Sequence, residues 1–191
     1  MLKNLENIKY TYLHRKALTY YIENNKYLSD YEREELLKRA KIHDMDKMVL
    51  YLFWDKKEAS KYHREHNPHH ISEFIKNGKT PTDIDILESI FDYECAALTK
   101  PDKPLNAYDT VQTHYPELID LYAPYLEKLK LNHSYCAITL DAIDYINAFD
   151  TSEKNLLSEI KEYLINNGDN IYERLMDKCC SKEEYSRIFS L

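Results

Sequence analysis

Apolar residues occur at helical spacing in the first part of the chain, and residues that start or stop helices interrupt them. The apolar pattern over about residues 2–27 predicts a first helix. Ser29 and Glu32 form the Ser-x-x-Glu signature of a capping box, so a second helix is expected to begin there. The apolar run at 48–54 predicts a buried helical turn or the start of a third helix, and another helix is expected at 57–66.

Asn67 interrupts this pattern, because the proline that follows it disfavours a helical conformation at the preceding residue. The same dipeptide is suited to starting a new helix, with Asn67 as the N-cap. Gly78 is expected to end that helix. The next helix is expected at about 83–99, capped by Thr80 or Thr82.

The segment at 100–104 is the clearest linker in the sequence. It separates a predicted helical core at 1–104 from a C-terminal helical part at 105–191, and we expect the two parts to pack as one domain. Apolar patterning predicts further helices in the C-terminal part around residues 116–131, 134–149, 152–166 and 170–190.

The composition supports a helical fold. Only 2 of the 191 residues are glycine, which argues against β-rich folds, Rossmann units and phosphate-binding loops, since all of these need residues that tolerate positive φ. Charged residues make up 31% and hydrophobic residues 43% of the chain, proportions typical of folded rather than disordered proteins. The sequence therefore predicts an all-α fold, a helical bundle with additional C-terminal helices.

The charge and the absence of long apolar runs limit the classes of partner. A net charge of −7 lacks the basic footprint of a nucleic-acid-binding protein. No run of 18 apolar residues is present, and the first residues do not look like a secretion signal, so no membrane partner is expected. The four cysteines follow no zinc or disulfide spacing, which predicts reduced thiols and a cytoplasmic protein.

Histidine is unevenly distributed along the chain. Neutral imidazole is the commonest metal ligand in proteins, and several histidines in one region favour a functional role. The most distinctive local feature is the His43-Asp44 pair, because both side chains could face one cation and Lys47 lies about one helical turn further on. Six of the eight histidines lie within the first 70 residues, at positions His14, His43, His63, His66, His69 and His70.

These residues resemble the HD superfamily of metal-dependent phosphohydrolases, whose pattern is a lone histidine, a His-Asp pair and a distant aspartate, all on helices. His14 lies in the first predicted helix, the His43-Asp44 pair lies at the end of the second, and Asp92 lies in a later one. The stretch HDMDK also looks like the His-Asp-x-x-Lys form of the superfamily.

The likeness extends to a histidine-rich stretch at 63–70 and to the Glu88-x-x-x-Asp92 spacing, which look like a divergent bacterial and phage branch of the superfamily. It covers about residues 10–100. Asp46 departs from the superfamily, where a small residue is frequent, and its added negative charge could weaken phosphate binding. The resemblance implies an HD-domain-like helical bundle.

The resemblance also implies a set of metal ligands. His14, His43, Asp44 and Asp92 would hold one divalent cation. Superfamily members with extra histidines before the last aspartate hold a second ion, for which the candidates here are His63 together with His69 or His70. A mixed shell of imidazole and carboxylate suits Mn, Fe, Co, Ni or Zn.

The activity that the resemblance implies is the hydrolysis of a phosphate ester of a small metabolite, with a nucleotide preferred, by a metal-activated hydroxide. Asp44 and Lys47 would belong to the catalytic set, and Lys47 with Arg15 would bind phosphate oxygens. Glu88 would orient a ligand imidazole or carry a proton. Asn67 would be an N-cap or a substrate contact.

A second hypothesis is a non-enzymatic protein with an HD-like fold, whose function is metal binding or interaction with another protein. In that case the histidines would serve to connect helices. We favour the enzyme. The sequence leaves the oligomeric state open, and a homo-oligomer is one option.

Overall fold

The computed structural model describes residues 4–99, 106–134 and 138–176, with side chains up to residue 166. Every regular element within these ranges is a helix, which confirms the all-α class. The predicted linker at 100–104 and the last part of the predicted helix at 170–190 lie outside the described residues. Within the described ranges, no helix combines the length and apolar character that a membrane span needs.

The helices follow one another with short connections. A single 3-10 turn at Pro116–Leu118 precedes α8. The helices are α1 (Leu5–Asn24), α2 (Asp30–Ala40), α3 (Met45–Phe53), α4 (Lys56–His66), α5 (Ile71–Lys76), α6 (Asp83–Thr99), α7 (Ala107–His114), α8 (Ile119–Leu129), α9 (Leu140–Asn147) and α10 (Glu153–Met176).

The chain divides into two compact units that are interleaved along the sequence. Among the described residues, the first unit contains 4–12, 42–63 and 150–176, and the second unit contains the rest. The chain passes from one unit to the other within α1 and again within α4. The boundary after residue 104 stays a prediction.

In the first unit, α10 packs against α3. Leu156, Ile160 and Leu164 recur every four residues along α10 and are buried, as expected for the apolar stripe of a packed helix. Helix α3 is buried over nearly its whole length, because it is apolar on most sides. The Asn4 amide donates hydrogen bonds to two carbonyl groups near the end of α3, at Tyr51 and Trp54.

In the second unit, α6 is the central helix and contacts α2, α5, α7 and α8. Its apolar residues are buried in two adjacent pairs one helical turn apart, Ile86 with Leu87 and Ile90 with Phe91. This arrangement gives α6 a wide buried face, and it also carries polar residues of the predicted site into the protein interior.

Local signals place several helix ends as predicted. The capping box of Ser29 and Glu32 starts α2, and Thr82 caps α6 by accepting the Asp85 backbone N–H. Gly78 follows α5 with φ +73°, and its N–H donates to the Ile75 carbonyl, as in a Schellman motif.

Other expectations about helix ends are wrong. Asn67 is not an N-cap, because α5 begins at Ile71 with His70 in the N-cap position. The Asn67 carbonyl instead accepts a hydrogen bond from the His70 N–H in the preceding turn. Helix α2 ends at Ala40, so the His43-Asp44 pair lies beyond its end.

The C-terminal part also differs from the prediction. Helix α7 was not predicted, although Asn106 caps it by accepting the Asp109 N–H. Helix α10 is continuous through Gly168, where two separate helices were expected. A single glycine costs a helix only about 1 kcal/mol relative to alanine, and the helix continues through it.

Candidate functional site

The His43-Asp44 pair lies in the turn between α2 and α3, and both side chains are buried. Asp44 is the N-cap residue of α3 and has φ +58°. Aspartate tolerates this left-handed conformation better than most residues. The backbone therefore takes a sharp turn at Asp44.

Three basic side chains of the first unit surround the Asp44 carboxylate. The Lys47 Nζ donates to Oδ2 at 2.7 Å. On the other oxygen, Nε2 of His63 lies 2.7 Å from Oδ1, and Nε2 of His43 lies 3.7 Å from it. The carboxylate thus faces positive or ionisable groups on both of its oxygens. The predicted role of Lys47 in binding phosphate oxygens stays a prediction.

These neighbours determine the charge of Asp44. Burial raises the pKa of the carboxyl, but the charges of Lys47, His63 and His43 outweigh burial and hold the pKa well below its usual value. Asp44 is therefore a buried carboxylate rather than a carboxylic acid at neutral pH. An ionised oxygen ligand is what a divalent cation requires.

His63 lies on α4 and is held between two aspartates. Its Nε2 faces Asp44, and its Nδ1 lies 2.9 Å from Oδ1 and 3.0 Å from Oδ2 of Asp46. Burial lowers the pKa of His63, but the charges of Asp44 and Asp46 outweigh it and raise the pKa to about 9. Asp46 is thus a direct neighbour of a predicted metal ligand.

In the second unit, His14 on α1 faces Asp92 on α6. The His14 Nε2 lies 2.6 Å from Asp92 Oδ1. The other ring nitrogen, Nδ1, lies 3.3 Å from the Thr99 hydroxyl and 3.7 Å from the buried Cys95 thiol. His14 is buried, whereas the Asp92 side chain is 15% exposed.

Glu88 lies one turn before Asp92 on α6 and belongs to a buried ionic group. Its Oε2 accepts from the Arg39 guanidinium at 3.0 Å, and Arg39 also donates to Asp85 at 2.5 Å. The Nδ1 of His69 lies 3.6 Å from Glu88 Oε1. Glu88 is thus close to one of the predicted ligand histidines, as the orienting role would need.

The remaining predicted residues lie in the second unit. The rings of His69 and His70 are 4.4 Å apart between centroids, and a ligating nitrogen of each lies within 4.8 Å of the other. Arg15 is buried and donates to the Lys41 carbonyl at 2.9 Å. The substrate-binding roles of Arg15 and Asn67 stay predictions.

Sequence reasoning did not identify Thr99, Cys95 or the contact of Asp46 with His63. Cys95 and Thr99 follow Asp92 by three and seven residues in α6, which is helical spacing, so periodicity could have placed both on the face that carries Asp92. The pairing of Asp46 with His63 has no local sign, because the two residues lie on different helices, α3 and α4.

No family model matches the chain, and searches of curated proteins and of solved structures find no match either. The described residues do contain groups of His, Asp and Glu side chains that could hold a metal ion.

Proposed function

We propose that the protein is a metal-dependent phosphohydrolase of the HD type, acting on a phosphate ester of a small metabolite, with a nucleotide as the preferred substrate. The proposal rests on a contact between a histidine and an aspartate that occurs once in each unit. In each unit a buried histidine presents Nε2 to an aspartate Oδ1, at 2.6 Å for His14 and Asp92 and at 2.7 Å for His63 and Asp44.

Such pairs suit a divalent cation. A carboxylate oxygen and a neutral imidazole nitrogen both offer lone pairs, and these repel one another at such a distance unless a proton or a cation lies with them. The ligand set of the proposal comes from the sequence pattern, with a mixed nitrogen and oxygen shell that suits Mn, Fe, Co, Ni or Zn. It assigns His14, His43, Asp44 and Asp92 to one ion. It assigns His63, with His69 or His70, to a second.

The residues around these pairs have roles in hydrolysis. When bound, a divalent cation lowers the pKa of a water molecule and neutralises phosphate oxygens. Lys47 adds a positive charge next to Asp44 and, in the proposal, exchanges this contact for a phosphate oxygen. Water adds to phosphorus, the bond from phosphorus to the ester oxygen breaks, and the leaving oxygen takes a proton. Glu88 is the proposed carrier of a proton, or else it orients His69.

The first experiment measures metal and activity together. Protein purified without chelator is expected to contain a transition metal by elemental analysis and to release phosphate from at least one member of a nucleotide panel. Asp44→Asn is expected to abolish phosphate release, because it removes an ionised ligand while retaining the side-chain shape. Asp144→Asn is the matched control, since Asp144 is exposed on α9. If protein purified without chelator contains no transition metal and releases no phosphate, the proposal is overturned.

The number of ions can be tested with single variants. If His14 and His43 hold one of two ions, as the proposal assigns them, His14→Ala and His43→Ala will each remove that ion and leave the second ion bound. If the chain binds a single ion that depends on both residues, each variant will remove all of the bound metal. Elemental analysis of the two variants against the wild-type protein distinguishes these outcomes.

A non-enzymatic metal-binding protein is the second candidate, and one observation favours it. Both proposed phosphate ligands are engaged within the protein, Lys47 with Asp44 and Arg15 with the Lys41 carbonyl. Under this alternative, metal is present, no nucleotide or other phosphate ester is cleaved, and His43→Ala lowers the melting temperature without loss of any activity.

A further inference from the structure

Asp46 is the residue at which the chain departs from the superfamily pattern, and it lies against a proposed metal ligand. Its two carboxylate oxygens lie 2.9 and 3.0 Å from Nδ1 of His63. The Asp46 side chain is 24% exposed, whereas that of His63 is 1% exposed. The imidazole is therefore buried against a carboxylate that keeps partial access to water.

This contact determines where His63 carries its hydrogen. A carboxylate can only accept hydrogen bonds, so the hydrogen must be on Nδ1 of His63 for the contact to be favourable. In the neutral imidazole the lone pair then lies on Nε2, which is the nitrogen that faces Asp44. The Asp44 carboxylate, 2.7 Å from Nε2, requires a hydrogen there as well unless a cation lies between them. When a cation replaces the hydrogen on Nε2, Asp46 holds the remaining hydrogen on Nδ1 and so keeps Nε2 available for the metal ion.

We infer that Asp46 is a positioning residue that orients His63, so that His63 binds a divalent cation through Nε2. This inference rests on the proposed function, because it assumes that His63 is a metal ligand. A carboxylate that accepts from the second nitrogen of a ligand histidine fixes the orientation of the ring and makes it more basic. The negative charge of Asp46 therefore strengthens metal binding through His63 while it opposes a phosphate nearby.

His14 provides an internal comparison in the second unit. It also presents Nε2 to an aspartate, but its Nδ1 faces a hydroxyl, that of Thr99, at 3.3 Å. A hydroxyl can donate as well as accept, so it does not select one tautomer as a carboxylate does. In His63 we therefore expect the position of the ring hydrogen to depend strongly on Asp46. In His14 we expect it to depend less on Thr99.

The experiment uses the full chain, stripped of metal and titrated with Zn²⁺ in competition with a chelator. Asp46→Ala is expected to weaken Zn²⁺ binding by about 10- to 100-fold, the usual effect of losing such a partner. Asp46→Asn is expected to weaken it less, because the amide oxygen can still accept from Nδ1. Asp144→Asn removes the same charge from an exposed position and is expected to bind Zn²⁺ like the wild-type protein.

Two further readouts separate positioning from a general structural effect. Long-range ¹H–¹⁵N spectra of the Zn²⁺-loaded wild-type protein are expected to show the hydrogen of His63 on Nδ1 and, in the Asp46→Ala variant, a mixture of ring states. In a His63→Gln background, removal of Asp46 is expected to cause no further loss of affinity, because Asp46 acts through His63.

The failure of this inference is distinguishable from the failure of the proposed function. Wild-type protein that binds neither Zn²⁺ nor another divalent cation overturns both. If both Asp46 variants bind Zn²⁺ as tightly as the wild-type protein, only the role of Asp46 is overturned. If Asp46→Ala does not fold, the Asp46→Asn variant decides, and an affinity within twofold of the wild-type value overturns the inference.

Discussion

At the residue scale, the second unit contains two buried carboxylates that share one arginine. Arg39 from α2 donates to both Asp85 and Glu88 of α6, whose side chains are each 6% exposed. Burial raises the pKa of Asp85, but hydrogen bonds from Arg39 and Thr82 outweigh burial and lower it. A single Arg39 guanidinium is therefore shared by two carboxylates, one of which, Glu88, belongs to the proposed catalytic set.

Replacing Arg39 by methionine leaves both carboxylates without their cation. We expect a loss of unfolding free energy of roughly 2–3 kcal/mol at neutral pH, a discounted value because the Arg39 side chain is 31% exposed. Since the folded-state pKa of Asp85 is lowered, its stabilisation is present above its unfolded pKa and is lost as the pH falls through the folded value.

Urea denaturation of both proteins between neutral and acidic pH measures this effect. The difference between wild type and Arg39→Met should shrink in acid, and a difference that grows in acid would contradict the prediction. Arg64→Met is the control, because Arg64 is exposed on α4.

Glu94 gives a pH dependence of the opposite sign. Burial raises the pKa of its carboxyl, although Glu94 Oε2 accepts from the Ala107 N–H at 2.9 Å. Because the folded-state pKa is raised, the wild-type protein loses stability as the pH rises from the unfolded to the folded pKa. Glu94→Gln cannot ionise, so its stability relative to wild type should increase from acid to neutral pH.

Thermal denaturation at acidic and neutral pH provides the measurement for Glu94→Gln. The exposed Glu127→Gln variant on α8 serves as the control and should follow the wild-type pH profile. A relative stability that is independent of pH would show that the pKa of Glu94 is not raised in the folded protein.

At the scale of helices, the sequence predicted those helix ends that depend on a few neighbouring residues. The capping box at Ser29 and the stop at Gly78 depend on contacts three to five residues apart, and both are confirmed. Asn67 has an equally good local pattern, yet its turn is followed by His70 as the N-cap. A proline after Asn67 indicates a chain break but does not determine how many residues the turn contains.

Gly78 offers a direct test of one helix end. A Cβ at this position would meet no atom within 4 Å, so alanine would be disfavoured only by the positive φ of 73°. We expect Gly78→Ala to lower the unfolding free energy by about 1 kcal/mol and Gly78→Asn to lower it less, because asparagine tolerates this conformation.

Equilibrium unfolding in urea can measure these two variants under one set of conditions. Equal losses for alanine and asparagine would indicate that the positive φ is not the cause. If neither variant lowers the unfolding free energy, α5 ends differently in solution.

At the scale of the whole molecule, the histidines show what sequence could and could not predict about the site. Their concentration in the first 70 residues predicted a functional region, and the structure buries His14, His43, His63 and His69. The sequence could not show that the chain forms two interleaved units, because this depends on contacts between segments far apart in the chain.

Metal should stabilise the folded chain if the proposal is correct. A ligand that binds only the folded state adds about 2.7 kcal/mol at a concentration 100 times its Kd. Addition of Mn²⁺ or Zn²⁺ to stripped protein is therefore expected to raise the melting temperature, and a chelator is expected to reverse the shift.

Hydrogen exchange can show which parts of the chain respond to the metal. Increased protection is expected in α3 and α4 of the first unit and in α1 and α6 of the second, the helices that carry or adjoin the proposed ligands. Protection confined to one unit would remove the other unit's His-Asp pair from the ligand set.

Helix α10 packs on α3, the helix that follows the His43-Asp44 pair, so the pair depends on a segment more than a hundred residues later in the chain. Residues after 150 contain none of the proposed ligands, yet Leu156, Ile160 and Leu164 support the helix that Asp44 caps. During synthesis on a ribosome, α3 emerges about a hundred residues before this partner. A premature stop near residue 149 would therefore leave every ligand in the polypeptide but deprive the motif of its packing surface.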